Sequence, residues 1–269
     1  MDPTILEDRL AVMVEPVGVP SYDFDFSRQF RCRHPVRLEQ RVPCVLRVGA
    51  RADYEETFEA CRDRGLDVVN SPRQHALASE LACWYPILRD ITPRSRLLDA
   101  FPSPAEVEAE FGWPVFLKGS RQTSLHRPEL SIIRSPDEYL AAVAGYERDP
   151  ILRWQRPVLR QFVELAVVPG AVPGKVPPRF EFRTFWWFGK RVGVGRYWYQ
   201  VPDYGVVDLA AGLSLAAVAA SRLDVPFLVV DIARTASGAW TVIECNDAQE
   251  SGYCAVPPVA LWQAILDLC

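Results

Sequence analysis

Two carboxylates and an amide near the C-terminus have the types and spacing of a metal site. Segment 226–246 reads as a β-hairpin that turns at 236–239, and a symmetric register places Asp231 opposite Glu244, with Asn246 on the same face. Both acids lie in strongly apolar strands, and like charges directly opposite each other destabilise a hairpin. A divalent cation between these oxygen ligands would remove the repulsion, and the set suits Mg²⁺. The alternative is a solvent-facing strand that carries incidental acids.

A second hairpin places arginines where an anion could bind. With Gly189-Lys190 as a two-residue turn between Phe180 and Tyr199, Arg183 faces Arg196, and Glu181 shares their face. Two opposed guanidinium groups fit a phosphate or a carboxylate. A surface network in which neighbouring acids neutralise the arginines is the alternative.

Lys118 ends an apolar strand and precedes Gly119. Only three of the 30 basic residues are lysines, so a lysine here indicates a position that needs a compact charge, as phosphate binding does. Solvation of a strand end by Lys118 is the simpler explanation.

Composition and missing motifs exclude several classes of protein. A chain of 269 residues with 49% hydrophobic residues can bury a core, and a net charge of −4 supplies no field that attracts nucleic acid or anionic lipid. Seven scattered cysteines, no basic leader and no apolar run of about 20 residues predict a cytoplasmic protein without membrane contact. Glycine-rich phosphate-binding loops and a nucleophile elbow are absent, and the isolated histidines lack triad or metal-ligand spacing.

The elements expected to position these side chains form two parts. Residues 1–40 read as a loop-rich segment with a single strand, and alternating strands and helices follow, which predicts a small α/β region over 1–95. Ser-Pro-x-Glu at 103–106 and 135–138 predicts two helices that begin with capping boxes. Strands at 113–118 and 158–163 would complete one lobe, about 100–165. The proline-rich flap at 168–178, the two hairpins and the helices at 210–222 and 258–268 would complete a larger lobe, about 166–269.

The order of these features resembles the ATP-grasp superfamily. The matching pieces, which run from about residue 44 to 255, are PVFLKG with Lys118, VLRQFVEL with Glu164, the strand FEFRTF, VVDIAR with Asp231, and VIECND with Glu244 and Asn246. The resemblance implies an α+β/α/β ATP-grasp fold over 96–269, in which two α+β lobes sandwich a nucleotide after a short α/β domain.

The resemblance also implies roles for individual residues. Lys118 would touch the phosphates, the segment Gln161, Phe162, Val163 and Glu164, together with Glu181, would hold adenine and ribose, and the 119–130 loop would be a lid. Asp231, Glu244 and Asn246 would bind Mg²⁺ or Mn²⁺, and Arg183 and Arg196 would act catalytically on the γ-phosphate or substrate carboxylate. The family's earlier phosphate-binding lysine is missing, and Arg94 or Arg96 would replace it.

The implied activity is an ATP-dependent, ADP-forming ligase that joins a carboxylate to an amine or related nucleophile through an acyl phosphate. Its partners would be small-molecule or peptide substrates, with a homodimer as the default assembly. The alternatives are an ATP-dependent kinase on the same scaffold and a non-catalytic nucleotide-binding module. The net charge argues against ligation of RNA.

Overall fold

The fold of this protein, a computed structural model, is built on three separate β-sheets. The structure describes residues 2–14, 25–48, 53–121, 128–150, 152–205 and 209–269. Within these ranges, no helix has both the length and the apolar character needed to cross a bilayer.

The N-terminal sheet has five strands in the order β3-β1-β2-β4-β5. They are β1 (Thr4–Leu6), β2 (Leu10–Val14), β3 (Cys32–Arg33), β4 (Val42–Arg47) and β5 (Leu66–Val68). Strands β2, β4 and β5 run parallel, and helix α1 (Tyr54–Asp63) connects β4 to β5. The prediction of a single strand in 1–40 is therefore wrong, because this segment forms a complete β1–β2 hairpin and an edge strand.

The small lobe is an antiparallel sheet in the order β6-β9-β7-β8, covered by helices. Its strands are β6 (Ser95–Leu97), β7 (Val115–Gly119), β8 (Ile132–Ile133) and β9 (Pro157–Gln161). Helices α2 (Pro72–Ser79) and α3 (Leu81–Leu88) precede it, and α4 (Pro104–Phe111), α5 (Pro128–Ser131) and α6 (Pro136–Arg148) belong to it.

Two predicted capping boxes set the starts of α4 and α6 in different ways. Ser103 and Glu106 cap reciprocally, as the sequence predicts. Ser135 caps α6, but the Glu138 carboxylate accepts from the backbone N–H of Arg134 at 2.8 Å. The second motif is therefore a serine cap with a shifted glutamate contact.

The large lobe carries the antiparallel sheet β11-β10-β12-β13 and two helices. Its elements are β10 (Glu181–Trp187), β11 (Lys190–Arg196), α7 (Ala210–Leu223), β12 (Phe227–Arg234), β13 (Trp240–Asp247) and α8 (Pro258–Leu266).

The large-lobe sheet is buried on both faces, which explains why its strands are almost continuously apolar. On one face, Phe182 and Val230 pack with α7, α2 and α3. On the other, Phe185 and Val229 pack with α8 and with the N-terminal sheet. Side chains at the same ends of these strands, beyond the core, face the small lobe and form the site described below.

A hinge made of backbone hydrogen bonds joins the two lobes. The Ala236 N–H donates to the Glu164 carbonyl and the Ala166 N–H to the Arg234 carbonyl, both at 2.8 Å. Leu165 forms a β-bridge with Thr235 between them. The connection is thus made by main-chain groups.

A buried polar cluster joins the N-terminal sheet to the large lobe. Asn70 bridges Asp247 and the backbone of Phe227 with three hydrogen bonds of 2.8–2.9 Å. His75 bonds Asp247 at 2.9 Å and stacks on Tyr54 with ring centroids 3.8 Å apart. Burial lowers the pKa of His75, but the bond to Asp247 and the charge of Glu250 outweigh it and raise the pKa overall.

Candidate nucleotide and metal site

A cleft of about 1080 Å³ lies between the small lobe and the large lobe. This is the size of pocket that holds a nucleotide-sized ligand. One wall is apolar, with Phe116, Ile132, Phe162, Val163, Leu165 and Ile243. The other carries the charged groups Lys118, Arg160, Glu181, Asp231 and Glu244. A flat apolar ligand group and an anionic one could therefore bind side by side.

The acidic hairpin has the register that the sequence predicts at its critical point. Asp231 pairs directly with Glu244, and the Asn246 amide nitrogen lies 3.5 Å from Oδ2 of Asp231. All three residues are buried. A β-bulge after Asp231 shifts the rest of the pairing toward the turn, so the symmetric register holds only on the site side.

The charge balance of this hairpin differs from the one predicted. Arg183 forms a bidentate pair with Asp231, with Nε–Oδ1 and Nη2–Oδ2 distances of 2.9 and 2.7 Å. Lys118 donates to the Glu244 carboxylate. The repulsion that suggested a divalent cation is thus already offset by cations of the chain itself, and the metal assignment needs a separate argument.

That argument comes from Asn246. Its Oδ1 is buried and has no hydrogen-bond partner among the described residues, and an unsatisfied buried oxygen is costly. A hard cation would satisfy it, together with the Asp231 and Glu244 oxygens. The described residues hold no group of three His, Cys, Asp or Glu side chains suited to a metal. Two carboxylates and an amide fit Mg²⁺ that also takes phosphate oxygens from a ligand.

The prediction that Arg183 faces Arg196 is wrong. The hairpin turns at Phe188-Gly189, both with positive φ (45° and 74°), one residue earlier than predicted, and a β-bulge follows Phe185. Arg183 therefore pairs with Gly195, while Arg196 pairs with Phe182.

Their guanidinium groups have separate surroundings. That of Arg196 bonds the Val201 carbonyl at 3.4 Å and lies 3.5 Å from Asp203, outside the cleft lining. Arg183 donates to the Gly252 carbonyl at 2.8 Å in addition to Asp231. The two arginines therefore do not form a joint anion site.

Lys118 lies where the sequence predicts, at the end of β7 and on the cleft wall. It is 4% exposed, and burial lowers its pKa, although the charge of Glu244 opposes this shift. Burial also raises the pKa of Asp231, against the effect of Arg183. The two lobes thus meet through a buried ion pair.

The predicted hinge segment lines the cleft only in part. Gln161, Phe162 and Val163 line it, whereas the Glu164 side chain is exposed and only its carbonyl takes part in the hinge. Glu181 lies in the cleft wall, where Trp198 donates to its carboxyl at 3.2 Å. Burial raises the pKa of Glu181 to about 8, despite that hydrogen bond.

The structure shows cleft residues that the sequence analysis missed. Arg160 of β9 faces the cleft, and Lys175, Val176, Pro177 and Arg179 of the proline-rich segment line it as well. An arginine two residues from Val158 on an apolar strand was the only available signal for Arg160.

Arg94 and Arg96 do not replace a phosphate-binding lysine. Both guanidinium groups contact Glu110 on the outer side of the small lobe, and neither lines the cleft. In the predicted lid loop 119–130, residues 122–127, with His126, lie outside the described part of the chain.

Comparisons with known proteins agree with this geometry. A family model described as an ATP-grasp domain of clade family 3 matches residues 62–265. A RimK domain protein ATP-grasp from Sphaerobacter thermophilus is 19% identical, with a TM-score of 0.58 over 84% of this chain and 80% of that one. D-alanine–D-alanine ligase from Bacillus anthracis is 13% identical, with a TM-score of 0.56 over 84% and 78%.

The ATP-grasp ligase PsnB, solved with a minimal precursor, is 16% identical, with a TM-score of 0.51 over 84% and 78%. No curated protein matches the chain. At these identities, the solved structures share the fold.

Proposed function

Because this chain belongs to an ATP-grasp domain family, we propose that it is an ATP- and Mg²⁺-dependent ligase that joins a carboxylate to an amine or a related nucleophile. One observation supports this most directly. The buried set Asp231, Glu244 and Asn246, with an unsatisfied amide oxygen, lies beside Lys118 in a cleft between two lobes.

The residues of the cleft divide the work of binding a nucleotide. The apolar wall, with Phe116, Phe162 and Ile243, would accept the adenine ring, and Glu181 would accept ribose hydroxyl protons. Lys118 would move from Glu244 to the phosphates and leave the carboxylate to the metal. A bound Mg²⁺ would offset charge on the transferring phosphoryl group.

The reaction class follows from this charge distribution. A substrate carboxylate would attack the γ-phosphorus, and the bond from γ-phosphorus to the bridging oxygen would break, releasing ADP and leaving an acyl phosphate. An amine would then attack the acyl carbon and displace phosphate. Positioning and electrostatics supply most of the catalysis in phosphoryl transfer, so a side-chain nucleophile is not required.

The similar ligases motivate the carboxylate substrate. One of them is a D-alanine–D-alanine ligase, and another is a ligase bound to a minimal precursor. We therefore propose small-molecule or peptide carboxylates and amines as substrates, in the cytoplasm, with a homodimer as the assembly to test.

The test combines binding with trapping of the intermediate. Titration calorimetry measures binding of ATP and Mg²⁺ to the wild type and to Glu244→Gln. Purified protein is then incubated with ATP, Mg²⁺ and pools of carboxylates, with hydroxylamine to capture acyl phosphates as hydroxamates.

Hydroxamate and ADP in equal amounts would support a ligase. A stable phosphorylated product without hydroxamate would indicate a kinase. Nucleotide binding without turnover across the pools would indicate a binding module. The absence of nucleotide binding would overturn the proposal altogether.

A further inference from the structure

One buried cation in the cleft has a donor that nothing in the described protein satisfies. Arg160 is 5% exposed, and its Nη2 is buried without a hydrogen-bond partner among the described residues. The other two nitrogens are used. Nε donates to the Ser95 hydroxyl at 2.9 Å, and Nη1 donates to the Ile243 carbonyl at 2.7 Å.

These two bonds fix the guanidinium from both lobes. Ser95 belongs to β6 of the small lobe, and Ile243 belongs to β13 of the large lobe. The side chain also lies over the Trp84 ring, with the guanidinium carbon 5.8 Å from the ring centroid. An arginine held this way keeps its third nitrogen in a set orientation.

An unsatisfied N–H on a buried cation is costly, and an anionic acceptor is the partner that offsets it best. Arg160 lies on the same sheet face as Phe116 and Lys118, because it pairs with Phe116 across β7 and β9. It is close enough to Glu244 for their charges to interact. Its neighbourhood in the cleft is therefore that of the ion pair, not of the apolar wall.

We propose that Arg160 is a second phosphate-binding cation, which acts beside Lys118 and contacts a phosphate oxygen of the nucleotide through Nη2. This inference rests on the proposed nucleotide site. Because Nε and Nη1 hold one lobe each, a phosphate on Nη2 connects all three and favours one relative position of the lobes.

The discriminating quantity is the ratio of affinities for ADP and adenosine, because only ADP carries phosphate. Titration calorimetry with Mg²⁺ measures both ligands for wild type, Arg160→Met and Arg160→Lys. We expect Arg160→Met to lower ADP affinity by about 10- to 100-fold, or about 1.4–2.8 kcal/mol at 1.4 kcal/mol per tenfold, and adenosine affinity by less than about threefold. Arg160→Lys keeps the charge and should recover part of the ratio.

Two further variants separate binding from folding. Ser95→Ala removes the Nε anchor and keeps the guanidinium, so it should lower the ratio by a smaller factor even if Arg160→Met does not fold. Arg94→Met removes an exposed arginine outside the cleft and should leave the ratio unchanged.

Each result has a definite meaning. An unchanged ratio in the folded Arg160 and Ser95 variants, or a parallel loss of ADP and adenosine affinity, would overturn the role of Arg160 while wild-type binding still supported the nucleotide site. Failure of the wild type to bind any adenine nucleotide would overturn both.

Discussion

The ion pair between Lys118 and Glu244 allows a quantitative test by a double-mutant cycle. The side chains are 4% and 12% exposed, and they come from different lobes. Removing one partner of a buried pair typically costs about 3–5 kcal/mol, because the other charge is left uncompensated. We expect Lys118→Met and Glu244→Gln each to lower the free energy of unfolding by this order. In a protein whose total stability is about 5–15 kcal/mol, such losses are easily measured.

The double variant should cost less than the sum of the single variants, because neither charge then remains buried alone. We expect a coupling energy of about 1–3 kcal/mol. The assay is urea unfolding followed by far-UV circular dichroism, without nucleotide or Mg²⁺, at pH 7. The Glu244→Gln variant adds a pH test of the same idea. Burial lowers the pKa of Lys118, and without Glu244 it should fall further, so the unfolded state binds more protons and stability should rise with pH toward about 10.

Two outcomes would refute this reasoning. Additive costs in the cycle would show that Lys118 and Glu244 do not interact in the unliganded protein. A Glu244→Gln variant whose stability is independent of pH between about 7 and 10 would show that Lys118 is solvated. Arg96→Met, which breaks an exposed pair with Glu110, is the matched control and should cost less than about 1 kcal/mol.

Three further predictions concern pH, buried polar contacts and packing. Burial raises the pKa of Glu181 to about 8, so the folded state binds the extra proton and wild-type stability should fall as pH rises from about 4.5 through 8; Glu181→Gln should remove this fall in thermal unfolding scans, and an unchanged profile would contradict a buried carboxyl. Asn70→Ala deletes three buried hydrogen bonds and should lower stability by about 2–4 kcal/mol in urea, whereas a loss below about 1 kcal/mol would show that water replaces them. Gly195→Ala places a Cβ 2.5 Å from the backbone of Ala255 and should cost more than Gly193→Ala, whose Cβ meets only side chains; equal costs would contradict a rigid contact.

The parts of the site that follow local patterns could be predicted from the sequence. Asp231 and Glu244 face each other because strand pairing near the cleft keeps the simple register. Lys118 ends its strand as expected, because an apolar run followed by Gly119 indicates a strand end. In both cases, a period of two residues and a nearby turn fix the side chain's position.

The errors come from features that local patterns do not encode. Phe188 adopts a positive φ, which is unusual for an aromatic residue, so the sequence pattern places the turn at Phe188-Gly189 one residue late. The β-bulge after Phe185 then separates Arg183 from Arg196. Strands β1 and β2 escape prediction because they are short and their turn, with Glu7 and Asp8 at positive φ, carries no glycine.

Long-range contacts explain the remaining surprises. Arg160 is positioned only when β13 approaches β9, which no spacing within 157–161 could indicate. The cations that neutralise Asp231 and Glu244 lie 48 and 126 residues away in the chain. A charge repulsion inferred from one hairpin is therefore offset by residues outside it.

The two buried pairs make the ligands of this cleft thermodynamically dependent on one another. A metal ion that arrives alone must compete with Lys118 for Glu244 and with Arg183 for Asp231. A phosphate gives Lys118 another partner and thereby releases one carboxylate. Nucleotide should therefore increase metal affinity, and by linkage the metal should increase nucleotide affinity by the same factor.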